Sequence, residues 1–453
     1  MITPFGDAPF GDARNWFLQR RFGLFIHWGL YAIPAWHEQL QWRAGVPRAE
    51  YARLQGQFNP TRFDPDAWLD LAERAGMQYL CFTTKHHDGF CLWDSAETDY
   101  KVTRTPYGRD VLALLAAACQ RRGMPLCLYY SVVDWHHPAY PHQGRSHELA
   151  GPQPGDAPDW PRYRAYLLAQ VRELCTRYGP IHGFWWDLNA TGIVDRAIND
   201  EIRRLQPAAV INNRGFDEGD FGTPERDFDD HSGVLAWERL TEACQSVGRE
   251  SWGYRRDEDY YSVRHLQASI AGALARGGNY LLNVGPMADG TLPPEAVAIV
   301  ERVGAWYQRV REAYEGAAPA SALTVNREVL LTRRGNALYV HLHRPPTTRR
   351  VELEPIAVEP LRATLLNTGE PVGWRLDTLP TQHMGPQGER IAGPVAHLRL
   401  VDLPVDALAS EALTSEAPAS EALAGEVPVV RVEFAEGARL GQPPASPGTA
   451  GAS

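Results

Sequence analysis

Six short, nearly uninterrupted apolar runs, each followed by a longer amphipathic segment, fill residues 20–315 of this 453-residue chain, and that alternation limits its fold more than any other feature. The runs are FGLFIHWG (22–29), MQYLCFTT (77–84), MPLCLYYS (124–131), IHGFWWD (181–187), AAVINNRG (208–215) and GNYLLNVG (278–285). Runs that are apolar throughout, and not alternately, suit parallel strands covered on both faces. Segments near 65–75, 109–122, 161–177, 195–205, 261–276 and 293–312 lie between and after them with helical spacing. In the first of these, Trp68, Leu69, Leu71, Ala72 and Ala75 share a face; the segment opens with Pro65 and Asp66 and stops at Gly76. The alternation predicts an α/β fold, a (β/α)8-like TIM barrel over residues 1–318. A doubly wound sheet would need a glycine-rich turn after the first strand, and GLFIHWG does not supply one.

From about residue 320 the helical period stops. Short β-rich runs follow, among them ALYVHLHR, RRVELEPI, AHLRLVDLP and VPVVRVEF, and they predict a small antiparallel β-sandwich over 319–440. It contains Trp374 but no cysteine and no polar cluster of catalytic type, so it reads as a packing partner for the barrel, with a sugar-binding module as the alternative. Residues 410–429 form an imperfect five-residue repeat with Glu411, Glu416, Glu421 and Glu426 in register. A period of five builds no buried stripe, so a solvated, mobile hairpin insertion is expected at about 408–427. The Pro-, Gly-, Ala- and Ser-rich tail 441–453 is expected to be disordered.

Composition removes several functions. The net charge is −10 and the charges are dispersed, which argues against binding a nucleic-acid backbone. No stretch approaches the ~18 apolar residues of a membrane span. The first residues, MITPFGDAPFGDARNWF, show no secretory signal, and the six cysteines form no CxxC pair or zinc pattern. Buried free thiols and a cytoplasmic location are therefore expected. The chain is also a candidate homo-oligomer.

Strand C-termini line the mouth of such a barrel. The first four runs end at His27-Trp28, at Lys85-His86-His87-Asp88, at Tyr129-Tyr130 before Asp134-Trp135-His136-His137, and at Trp185-Trp186-Asp187; the fifth ends at Asn212-Asn213-Arg214. Indoles to stack on sugar C–H faces, with His, Arg and Glu directing hydrogen bonds at hydroxyls, make a monosaccharide pocket, in which the histidines are expected to act as donors. Asp187 is a candidate glycosidase nucleophile, its bland alternative being a cap for the next helix. Glycoside hydrolysis needs a second carboxylate, for which Glu225 and Glu238 both qualify by position. The histidines raise the alternative of a metal-dependent hydrolase. Against it, no HxH ends the first strand, and adjacent His86 and His87 cannot easily aim both rings at one ion.

These segments, with FNPTRFDPDAWLDLAERAGMQYLCFTTKHHDGFCLWDS, YYSVVDWHHP, INNRG, TPER, SWGY and GGNYLLNVGPMADG in order over residues 14–315, resemble the α-L-fucosidases of glycoside hydrolase family 29. The resemblance implies a barrel followed by a β-sandwich, cleavage of terminal α-L-fucosyl linkages by double displacement with retention, and no cofactor or metal. The implied partner is a fucosylated glycan or glycoside. Carried over by motif, Asp187 takes the nucleophile's place, and Trp185, His27, His86, His87 and Arg214 take those of fucose ligands. The pocket tyrosine is Tyr129 or Tyr130; strand alternation allows one inward, and Tyr130 is chosen. Glu38 matches the glutamate of the family's Glu-Trp pair, but Gln39 replaces the tryptophan, leaving His37 or Trp36 to substitute. Glu225 in TPER is favoured over Glu238 as acid/base. Other expected functions are a barrel glycosidase of different sugar specificity and a non-hydrolytic fucose-binding protein.

Overall fold

The computed structural model describes residues 9–226, 234–381, 393–404 and 425–440. Seven strands make one parallel sheet: β1 Phe22–Ile26, β2 Leu80–Lys85, β3 Leu126–Ser131, β4 Gly183–Asp187, β5 Val210–Ile211, β6 Glu242–Ser246 and β7 Asn279–Val284. Their order is β5-β4-β3-β2-β1-β7-β6. The two edge strands are linked through residues 221–225, with single parallel bridges joining Asn212 to Phe221, Gly222 to Thr241 and Glu225 to Cys244. The sheet is thus a curled half-barrel of seven strands, with an irregular segment between its edges.

Six of the seven strands fall on the apolar runs. The missed one, β6, reads EACQS: Glu242, Gln245 and Ser246 are polar yet buried. Hydrophobic pattern fails there because that strand puts polar side chains into the middle of the fold. The helices Pro65–Arg74, Val111–Arg122, Trp160–Arg177, Arg196–Leu205, Val263–Ala275 and Pro294–Val310 match the amphipathic segments. Their starts are marked chemically. Asp64 caps the first by accepting from the backbone of Asp66 and Ala67, and Pro65 occupies the first turn, where its lack of an N–H costs nothing. That helix ends at Gly76, whose φ of 76° is left-handed.

Each strand divides its residues between two cores. Leu24, Ile26, Phe82, Leu128, Tyr130, Phe184 and Trp186 face the helices. Phe25, Cys81, Cys127, Tyr129, Trp185 and Cys244 face inward, against one another. All six cysteines are buried and free. Among the described residues no helix is long and apolar enough to cross a membrane.

Beyond the barrel-like sheet, β8 Ala318–Pro319, β9 Leu330–Arg334, β10 Ala337–His341, β12 Arg362–Leu365 and β15 Val429–Glu433 form a five-stranded antiparallel sheet. The strands β11 Val351–Leu353, β13 Gly373–Pro380 and β14 Pro394–Val401 form a second sheet of three. Leu331, Leu338 and Val340 of the first share one core with Leu353, Leu398 and Leu400 of the second.

The expectation of a solvated repeat needs a correction at its C-terminal end. Residues 405–424 lie outside the described residues, as does the tail. The last unit, Gly425 to Val429, is packed. Val427 and Val429 are fully buried, the Val427 carbonyl accepts from the Trp306 indole (2.8 Å), and Glu426 pairs with Arg309. Its Glu-in-register pattern resembles the other units, but its Val-Pro-Val leads into β15, and sheet pairing overrides the repeat.

Candidate active site

A pocket opens at the C-terminal ends of the parallel strands, where backbone hydrogen bonding stops and side chains can converge. Its floor is aromatic. Trp185 of β4 lies beside Tyr129 of β3 because the two are register partners, and their rings stack at 5.6 Å and 18°. Phe25 meets the Trp185 ring edge-on at 5.4 Å. Pairing Tyr129 with Trp185 turns Tyr130 outward. Tyr130 packs under the helix Trp160–Arg177, donates to Gln170 Oε1 (2.6 Å) and lies beneath the Lys85 ammonium (4.3 Å). The choice of Tyr130 as pocket tyrosine is therefore corrected to Tyr129.

The Tyr129 hydroxyl donates to Asp187 Oδ2 (2.7 Å), and Arg214 Nη1 donates to Asp187 Oδ1 (3.2 Å). The same Nη1 donates to Glu225, and the guanidinium is fixed by Thr223 and lies over the Trp185 ring (4.8 Å). Two carboxylate oxygens that share one donor nitrogen lie no more than about 6 Å apart. So close an approach suits the retaining arrangement, whose carboxyl groups stand ~5–5.5 Å apart.

Burial pushes the Asp187 carboxyl up, but the charge of Arg214 and the hydrogen bonds from Tyr129 and Arg214 outweigh it and hold it below the usual range. Glu225 goes the other way. Desolvation raises it, Arg214 opposes, and the negative charge of Asp187 adds to the rise. One carboxyl is thus kept ionised while its neighbour is biased toward holding a proton. Glu238 is exposed and lies outside the pocket lining.

The histidines are acceptors here, contrary to their expected role as donors. Asn283 donates its amide to the Trp252 carbonyl (2.7 Å), so its Oδ1 faces His27 Nδ1 (2.7 Å), which must carry the proton. Ser131 donates to the Val133 carbonyl (2.6 Å) and accepts from His87 Nδ1 (2.6 Å). Each ring's other nitrogen, Nε2, is then a bare acceptor, that of His87 lying 3.7 Å from Asp187 Oδ2. Burial lowers both pKa values to about 4, and burial with the neighbouring His87 and His27 holds His86 well below its ordinary value. The rings of His86 and Tyr129 stack at 5.7 Å and 6°.

Neutral imidazoles have a consequence for stability. Unfolding restores an ordinary pKa of 6.5, so the two groups contribute fully above pH 6.5 and lose that contribution as pH falls toward 4. The shift is worth about 3 kcal/mol each. Glu242, raised to about 7 by burial, acts oppositely, stabilising most below its ordinary 4.5 and less as pH rises. Asp88, also raised to about 7 by burial, adds to Glu242, but His136, lowered to about 4, and His341, lowered to about 3, join the pocket imidazoles and tip the balance, so Tm should fall by ~5 °C or more between pH 7 and pH 4.5 in thermal melts. A flat profile would mean that the folded state does not hold these imidazoles below their ordinary pKa.

Glu38 completes one wall. Its Oε2 accepts from Ser251 Oγ (2.7 Å) and from the backbone of Trp252 (2.9 Å) and Gly253 (3.2 Å). That loop can come so close only because a Cβ on Gly285 would sit 2.3 Å from the Gly253 carbonyl carbon. His37 and Trp36 do not replace the missing tryptophan. His37 turns away to accept from the Gln39 backbone (3.0 Å), Trp36 is exposed, and Gln39 itself lines the pocket. His136 and His137 lie outside the lining, their backbones donating to Asp134 Oδ1.

Residue-by-residue reading missed Phe25, His147, Leu188, Cys244 and Trp252 of the lining, and also Glu242 beneath it. Glu242 accepts from the Trp185 indole (3.0 Å) and from Tyr79 (2.6 Å), and so fixes the platform from below. Among the described residues, the group of three ligating side chains close enough for one ion is Glu352, Glu354 and His397 in the C-terminal sheets. There Glu352 already pairs with His397 and Arg399. The pocket histidines do not converge, so chelation and dialysis should leave kcat unchanged. Loss of activity together with a stoichiometric metal would overturn that.

Two carboxylates bridged by one arginine that lies over a stacked indole, at the C-terminal ends of parallel strands, define a glycoside hydrolase type of site. The family model described as alpha-L-fucosidase matches residues 10–312, and the chain belongs to that family. It is 28% identical to the tissue alpha-L-fucosidase of Bos taurus over 82% of this chain and 84% of that protein. Its structure is similar to alpha-L-fucosidase isoenzyme 1 from Paenibacillus thiaminolyticus, with TM-score 0.75 and 31% identity over 93% of this chain and all of that one. It is also similar to an alpha-L-fucosidase from Bacteroides thetaiotaomicron, with TM-score 0.73 and 28% identity over 93% and 96% of the two chains. That enzyme was solved as a trapped covalent intermediate with 2-fluoro-fucosyl fluoride in a glutamate-to-glutamine mutant.

Proposed function

We propose that the chain is a retaining exo-α-L-fucosidase that releases terminal α-L-fucose from a fucosylated glycan or glycoside. The observation that carries this reading is the shared Arg214, which holds Asp187 and Glu225 close together over Trp185. The sugar lies on the indole with its hydroxyls donating to Nε2 of His27 and His87 and to the Glu38 carboxylate. An Asp187 oxygen attacks the anomeric carbon as Glu225 gives its proton to the departing glycosidic oxygen, leaving a fucosyl ester on Asp187. Glu225, now ionised, takes a proton from water; the water oxygen attacks the same carbon and Asp187 departs. Two inversions give retention. A trapped intermediate in a relative supports the covalent step. A fucose-binding protein without hydrolysis would have no use for the second carboxylate.

The same reading makes 221–225 the eighth strand of a (β/α)8-like barrel, supported by its parallel bridges to Asn212, Thr241 and Cys244. Closure there matters because this segment carries Glu225 to its place beside Arg214. The test is a panel of aryl glycosides, with the first-formed product followed by NMR. Hydrolysis of the α-L-fucoside with α-L-fucose appearing first is expected; β-L-fucose first, or preference for another sugar, would sink the reading.

A further inference from the structure

The pocket has a closed end and a mouth. Phe25, His27, His86, His87, Tyr129 and Trp185 are all buried at the closed end, whereas Gln39, His147, Leu188 and Trp252 are half-buried and Glu225 is exposed. An exo-acting site fills its closed end with the reacting sugar, so the leaving group lies among the half-buried residues.

The mouth is where the backbone is strained. Five non-glycine residues among those described have positive φ, and four belong to the loops around this pocket: Ala35 (53°), His147 (58°), Leu188 (49°) and Arg226 (51°). Leu188 follows Asp187, Arg226 follows Glu225 and lies over the Trp252 ring (4.9 Å), and Ala35 precedes Glu38 by three residues. Such conformations persist only where surrounding contacts over-determine them, and they concentrate at functional sites.

His147 shows the over-determination most fully. Its carbonyl accepts from the Trp135 indole (2.7 Å), its ring lies on Trp42 (5.1 Å, 23°), and its Nδ1 meets Ser146 Oγ (2.8 Å). The next residue, Glu148, is buried and accepts from Tyr140, from the Arg145 side chain and from the backbone of Gln143 and Arg145, while its carbonyl takes the Trp42 indole (2.8 Å). With one ring face covered by Trp42 and Nδ1 engaged, what remains for a ligand is the other face and Nε2. Gln39 stands in the same wall. Its Oε1 accepts from Arg43 Nε (3.0 Å), which leaves its amide nitrogen as a donor. Leu188 adds an apolar surface.

We infer that His147, Gln39 and Leu188 form a leaving-group subsite that takes a second sugar, its hydroxyl or acetamido groups meeting His147 Nε2 and the Gln39 amide and its C–H face meeting Leu188. This rests on the fucosidase reading. A ring nitrogen and an amide donor beside a small apolar surface suit a hydroxyl-bearing glycosyl unit better than an aryl group, which offers those polar atoms fewer partners.

The test compares a fucosyl disaccharide with 4-nitrophenyl α-L-fucoside on the full chain. His147→Gly removes the ring and suits a left-handed backbone. His147→Asn, also tolerated there, is the second variant. For both, kcat/KM on the disaccharide should fall at least tenfold more than on the aryl fucoside, mainly through KM; Gln39→Ala should shift the ratio the same way by less. An equal loss on the two substrates would show that His147 serves the fucose or the fold. An unchanged ratio without loss would remove the subsite. If the parent chain cleaves neither substrate, the fucosidase reading itself falls and takes the subsite with it, so the two failures are told apart.

Discussion

Replacing Asp187 by Gly is expected to lower kcat/KM on an activated aryl α-L-fucoside by a factor on the order of 10⁴ or more. The substitution removes the oxygen that forms the covalent ester and leaves Trp185, His27 and Glu38 to hold the sugar. Added azide should enter the vacated space and attack the same face, restoring bond cleavage and giving fucosyl azide with inverted configuration. The variant should still fold, because Tyr129 and Arg214 lose one partner each while Arg214 keeps Thr223 and Glu225. Near-parental activity in Asp187→Gly would take the nucleophile's role from this residue.

The second large effect concerns Glu225. A general acid matters most when the leaving group is poor. Glu225→Ala should therefore keep much of its first-step rate on dinitrophenyl fucoside and lose a factor of ~10³ on a fucosyl sugar. Its second step should be slow, since the same carboxylate activates water, and azide should rescue it with retention. The pH profile carries an independent signature. Desolvation and the Asp187 charge raise the Glu225 carboxyl above its ordinary value, so protonated Glu225 is lost as pH rises and kcat/KM falls with it. Glu225→Gln should abolish that alkaline limb. Glu238→Ala should behave like the parent, because Glu238 is exposed and outside the pocket. A leaving-group-dependent defect in Glu238→Ala, with none in Glu225→Ala, would reverse the assignment.

Much of this site could be read along the chain because a barrel puts its chemistry at predictable places. Asp187, Trp185, His27 and Arg214 stand at or just beyond the ends of apolar runs, and each lines the pocket. Motif order supplied Glu38 and Glu225. The tyrosine could not be chosen that way. Tyr129 and Tyr130 are adjacent and equally apolar, and only the register of β3 against β4 decides which faces Trp185. Glu242 was invisible for a related reason. A strand with a buried carboxyl looks like a loop until Tyr79 and Trp185, far away in sequence, are seen to satisfy it.

By itself the sequence determined the parallel α/β framework, its six covering helices, the antiparallel sheets after residue 320 and the two candidate carboxylates. Periodicity, caps and strand ends are local properties, so local residues suffice to state them. Tertiary structure decided that the pocket imidazoles accept and do not donate, since their tautomers are set by Asn283 and Ser131. It likewise gave Asp187 and Glu225 opposite protonation biases and aimed the left-handed His147 at the mouth. Those outcomes depend on charges and donors brought together from distant segments, and no local pattern records the distance between them.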